Sequence, residues 1–137
     1  MWCFYAVLSA LFAALTAIFG KIGVEKINSN LATAVRTVVI LFLVWAIAFA
    51  TTPLGEIKNI SKHGLLFLTL SGLATGASWL CYYKALQMGE ASKVAPVDKL
   101  SVVFTMLLAF LFLGETVSAK VLIGGFLILC GSLVIIL

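Results

Sequence analysis

The chain has 137 residues, 64% of them hydrophobic and 10% charged, with a net charge of +4 and a mean hydropathy of +1.23. Soluble domains are nearer half apolar and a quarter charged, so the polar surface needed to cover a water-soluble globule is missing and lipid must be the solvent. No Lys/Arg-rich tail offers a footprint for nucleic acid, and His63, Cys3, Cys81 and Cys130 are too scattered for a metal site or a nucleophile–base pair. Neither an enzyme nor a bound cofactor is expected.

A bilayer core of about 30 Å takes roughly 20 helical residues at about 1.5 Å each. Five stretches reach that length, at about 2–20, 31–50, 64–86, 94–113 and 117–137. An all-α integral membrane protein is therefore predicted, a bundle of five transmembrane helices forming a single domain over 1–137. Helices satisfy their backbone groups internally, as hydrocarbon requires. The first stretch lacks the basic flank of a secretory signal and is long enough to span, so it reads as a retained helix.

The connections are short and carry stop and start signals. Asn28, Ser29 and Asn30 are each able to cap the second helix. Pro53, Gly55 and Ser61 punctuate the next connection, Gly89 the third and Gly114 the fourth. Glu115 reads as a structural acid near the start of the last helix.

Small residues form stripes expected to let helices approach closely: Ser9, Ala13, Thr16 and Gly20 on the first segment, Gly72 and Gly76 on the third, Gly124 and Gly131 on the fifth. Ser71, Thr75, Ser78 and Tyr82 make a polar stripe on the third, open to packing or to a lining role. A weak internal repeat is also legible. Residues 8–16 (LSALFAALT) echo 70–78 (LSGLATGAS), with Lys21 matching Lys84 and Arg36 matching Lys99.

With Met1 on side A, the first, third and fifth helices run from A to B. Arg36, Lys84, Asp98 and Lys99 then all fall in the B half. Two readings stand for the cations. They snorkel to the lipid surface, or they line a polar cavity. Asp98 is too short to snorkel well. An ion pair or a place near the N-terminus of the helix that follows Pro96 is its structural reading. Trp79, Tyr82 and Tyr83 lie within two helical turns, with Trp79 and Tyr83 four apart on one face. They read as an interfacial belt or as cavity walls. The candidate solute-binding residues are Arg36, Trp79, Tyr82, Tyr83, Lys84, Asp98, Lys99 and Ser101. Three cations against one carboxylate would favour an anionic or zwitterionic solute.

Trp79, the run Tyr82-Tyr83-Lys84-Ala85-Leu86, the turn Ala91-Ser92-Lys93-Val94-Ala95-Pro96-Val97, the pair Gly114-Glu115 and a last helix bearing Gly124, Gly125 and Gly131 resemble, in that order, an EamA domain of the drug/metabolite transporter superfamily. The resemblance covers the whole chain and is to the short, five-helix type of bacterial and archaeal cell membranes. It implies solute transport by alternating access without a prosthetic group. It also implies equivalence to one half of a ten-helix transporter, with the pathway completed by a homodimer, in one arrangement antiparallel. A membrane scaffold or accessory subunit is the rival reading. Side B carries Lys21, Lys26, Arg36, Lys84, Lys93 and Lys99 against Lys58, Lys62 and Lys120 on side A, which favours a cytoplasmic B side. Counting only the connections leaves no bias, so dual insertion stays open.

Overall fold

The computed structural model describes residues 1–137, the side chains of Leu54 and Lys58 excepted. Lys58, counted above on side A, thus lies outside the described side chains. The helices are α1 (Trp2–Val24), α2 (Ser29–Thr51), α3 (Lys62–Met88), α4 (Ala91–Asp98), α5 (Leu100–Leu113) and α6 (Ala119–Ile136), with a 3-10 turn at Leu54–Asn59. No strand occurs among the described residues. Five spans are long and apolar enough to cross a membrane: α1, α2, α3, the α4–α5 pair (Ala91–Leu113) and α6. The protein is a multi-pass, all-α membrane protein. Its large apolar side chains point outward along every span, Phe12, Phe42, Leu73 and Phe112 among them, as lipid solvation allows.

The helix ends follow from local chemistry. Of the three candidates, Asn28 is the cap of α2, its side chain accepting from the Asn30 N–H at 2.9 Å. Ser61 accepts from the Gly64 N–H at 3.0 Å and so starts α3 at Lys62, earlier than predicted. Ser118 caps α6, accepting from the Val121 N–H at 3.4 Å. Gly114 ends α5 in the left-handed region at φ 64°, a conformation that glycine adopts without a Cβ penalty. Its neighbour Glu115 donates its N–H to the Ala109 carbonyl at 3.3 Å. The last connection is therefore longer than expected from sequence, since α6 starts at Ala119, after the Ser118 cap, and not at about 117.

Pro96 does not open the fourth span. The helix begins five residues before it, at Ala91, and Pro96 sits inside α4. The break comes instead at Lys99, where ψ is −6° against a helical value near −42°. There the ladder tightens to three-residue bonds: Lys99 N–H donates to the Pro96 carbonyl and Val102 N–H to the Lys99 carbonyl, both at 3.0 Å. The Ser132 hydroxyl of α6 also donates to the Pro96 carbonyl, at 3.1 Å. The missing proline donor would have served the Ser92 carbonyl, four residues back, so the interruption at Lys99 goes with the Ser132 hydroxyl on the Pro96 carbonyl, the acceptor that a Leu100 N–H would otherwise use.

The chain packs as two compact units. One comprises Met1–Phe19 and Met88–Leu137, the other Gly20–Gln87. In the first, α4 and α5 pack on α6. Gly125 makes the close approach there, since a Cβ on it would stand 2.7 Å from Met106 Sδ. Below that contact an open apolar groove of about 720 Å³ runs between α5 and α6, lined by Met106, Phe110, Gly125 and Phe126 among others. In the second unit, Val24 and Leu86 are fully buried where the last turns of α1 and α3 meet. The glycines expected to pack helices, Gly72, Gly76, Gly124 and Gly131, have open space where a Cβ would stand. Close approach falls to Gly20, which ends the stripe predicted on the first segment, and to Gly125.

Candidate functional site

Hydroxyls along the spans are largely satisfied within their own helices. Thr33, Thr37, Thr75 and Thr105 each donate to the carbonyl four residues back, at 2.7–2.9 Å. The predicted polar stripe on the third span therefore spends a donor internally, Thr75 on Ser71, and Thr105 of α5 does the same on Ser101. The rest of the polar chemistry in the Gly20–Gln87 unit concentrates at one end.

There, α1 and α3 secure each other's C-termini. Lys21 Nζ donates to the Leu86 carbonyl at 2.7 Å, a cation meeting the negative end of α3. Gln87 Nε2 answers by donating to the Val24 carbonyl at 3.3 Å and the Ile27 carbonyl at 2.9 Å. Sequence reasoning missed both ties. A lysine in the last turn of a helix is a signal for the first; Gln87, uncharged and just beyond the predicted third segment, carries none.

Deeper along α3, Arg36 of α2 meets two of the predicted aromatic residues. Its guanidinium carbon lies 4.1 Å from the centroid of the Trp79 ring and 5.2 Å from that of Tyr83. The depths agree. Arg36 stands about 10 Å of rise in from the start of α2, and Trp79 and Tyr83 about 13 Å and 7 Å back from the end of α3. All three are further from the helix ends than the shorter predicted segments implied. Such ring contacts stabilise a desolvated cation by about 2 kcal/mol. Tyr83 is buried, and its ring is seated against α1: a Cβ on Gly20 would stand 2.9 Å from the Tyr83 hydroxyl. Gly20 is thus the seat of Tyr83, a role that only the small-residue stripe hinted at.

Arg36 differs from every other described cation in one respect. Its Nη1 is buried and has no hydrogen-bond partner. The two described ion pairs, Lys93–Glu90 and Lys99–Asp98, do not involve it. The snorkelling reading does not describe this side chain, which lies on the rings of α3 and keeps that nitrogen out of solvent.

The remaining predicted residues are distributed as follows. Tyr82 is half-buried with its ring edge-on to Tyr83, the centroids 6.1 Å apart. Lys84 is exposed. Asp98, Lys99 and Ser101 belong to the other unit, at the α4–α5 break. Asp98 Oδ2 accepts from Lys99 Nζ at 3.4 Å, so these neighbours neutralise each other, and Ser101 is exposed.

Among curated proteins, one described as "Uncharacterized transporter in cobO 3'region", from Sinorhizobium sp., is 51% identical to this chain over 134 residues, which are 98% of this chain and 95% of that protein. No solved structure matches the chain. The family model described as EamA-like transporter family matches residues 1–137, and with five membrane-spanning helices beneath that match the chain belongs to this family of membrane transporters.

Proposed function

We propose that the protein is a transporter subunit for a small anionic or zwitterionic solute, working by alternating access in a bacterial or archaeal cell membrane. The observation that carries this reading is Arg36, a cation inside a membrane span with a buried, unpartnered nitrogen beside two aromatic rings. A charge at that depth costs about 2–3 kcal/mol, a cost that functional sites tolerate and plain scaffolds have no reason to carry. Trp79, Tyr82, Tyr83 and Lys84 are the proposed solute contacts around it. Asp98, Lys99 and Ser101 are proposed contacts on their own unit.

The pathway is proposed to need a second copy of the chain, in an antiparallel arrangement that supplies the inverted half. Two observations support this. The similar Sinorhizobium protein is matched over 95% of its own length, so it too is about the size of one such unit. The faces at Gly72, Gly76, Gly124 and Gly131 are also left open by this chain's own side chains, as an intermolecular helix contact requires.

Purified protein reconstituted alone into liposomes tests the reading. Current or uptake evoked by small carboxylates and amino acids, lost in Trp79→Ala protein that still assembles, is the expected result. Silence across such a panel, from protein shown to be folded and inserted, would favour a scaffold or accessory role.

A further inference from the structure

The open chemistry around Arg36 specifies more than a charge sign. We infer that Arg36 is the receptor for a carboxylate group, one per chain, with Trp79 and Tyr83 as positioning residues. This rests on the transporter reading only for its purpose; the binding itself stands on geometry.

Three observations converge. First, the guanidinium carbon lies over the rings of Trp79 and Tyr83, 4.1 and 5.2 Å from their centroids. Ring faces hold the cation in place without offering its N–H donors a lone pair, which leaves donors for a ligand. A planar fork of donors matches a planar pair of acceptor oxygens, and two parallel hydrogen bonds result. Second, one of those donors, Nη1, is buried without a partner. A ligand oxygen would satisfy it, where a neutral apolar solute would leave it stranded. Third, the charge count at this spot is one. Of the other cations at the B end of the unit, Lys21 is committed to the Leu86 carbonyl, and Lys26 and Lys84 are exposed. A monoanionic carboxylate neutralises one guanidinium. A phosphate monoester, near −2 at neutral pH, would leave excess negative charge in a site of low dielectric.

The experiment uses the full chain. Trp2 and Trp45 are replaced by Phe, so that Trp79, the third tryptophan, reports alone. Benzoate, its neutral isostere benzamide and inorganic phosphate are titrated against Trp79 fluorescence and melting temperature. Benzoate is expected to change both, while benzamide and phosphate at equal concentration change neither. Arg36→Gln and Arg36→Lys should each weaken benzoate by about tenfold or more, since an ammonium lacks the fork. An equal response to benzamide, a stronger response to phosphate, or no response to benzoate overturns the inference on wild-type side chains at position 36, whatever the folding of the variants. Benzoate-evoked current in proteoliposomes separates the two levels, because benzoic acid leaking through lipid carries no charge. Binding without current keeps the receptor and removes the transport reading. Current that survives Arg36→Gln keeps transport and removes the receptor.

Discussion

A guanidinium against two rings is held by what seats the rings. Tyr83 is fixed from behind by Gly20, whose missing side chain leaves room for the phenol oxygen. Gly20→Ala would bring a methyl group to 2.9 Å from that oxygen and push the ring toward Arg36. Overpacking of this kind costs about 1–3 kcal/mol. The expected outcome is a lower melting temperature in detergent. Tyr83→Phe, which deletes the nearest atom but leaves Cζ at 3.1 Å, should recover part of the loss in the double variant while costing little alone. Additive losses in a double-mutant cycle would show that the two residues do not touch. Gly125 presents a contrasting case, because the atom facing it is the flexible end of Met106, which is able to swing aside. Gly125→Ala should therefore be much milder than Gly20→Ala.

The fourth span shows how two elements share one acceptor. The Pro96 carbonyl serves the Lys99 N–H of its own span and the Ser132 hydroxyl of α6. Ser132→Ala deletes the interhelical bond, and such bonds average about 0.6 kcal/mol in membranes, so a small fall in stability is expected. The more telling readout is local. With that hydroxyl gone the Pro96 carbonyl is free to accept from the Leu100 N–H, and amide exchange at Lys99–Val102 should slow as the tightened turn reverts to regular helix. Unchanged exchange would mean that the Ser132 bond is not what breaks the span. The sequence signals for this region were misleading in a definable way. Proline is common at helix starts, which set the expected beginning near 94, yet Glu90 precedes a regular turn at Ala91 and the proline is accommodated inside it. Chemistry that depends on a distant hydroxyl, here 36 residues away, leaves no local trace.

At the scale of the whole molecule, an odd number of spans puts the two termini on opposite sides of the membrane. Reporters active on one side only, fused to each end in turn, test this and the proposed antiparallel pair together. Each terminus should be found on both sides, in comparable amounts, if copies insert both ways up. One fixed orientation would remove the antiparallel arrangement while leaving a parallel dimer open. The five spans are legible from hydropathy because lipid imposes a length on every apolar run. A shared place for Arg36, Trp79 and Tyr83 in one membrane half is also legible, from side assignment and a four-residue spacing that puts both rings on one face, but that the cation lies on those rings is not. The seats and ties around them are not, because a glycine contact or a glutamine reaching a carbonyl depends on the final approach of helices, which periodicity does not encode.

The reciprocal bonds between α1 and α3 have a mechanical consequence. Lys21 grips the end of α3, and Gln87 grips the end of α1 and the connection after it. Fraying either end alone would strand carbonyls at the Leu86, Val24 or Ile27 positions, each needing a new partner. The last turn of α1 and the last two turns of α3, which include Tyr83, are therefore tied to move together for as long as these bonds hold. Under the proposed alternating-access reading, an opening that uncovers Arg36 without breaking those bonds would move this tied end as a piece against α2.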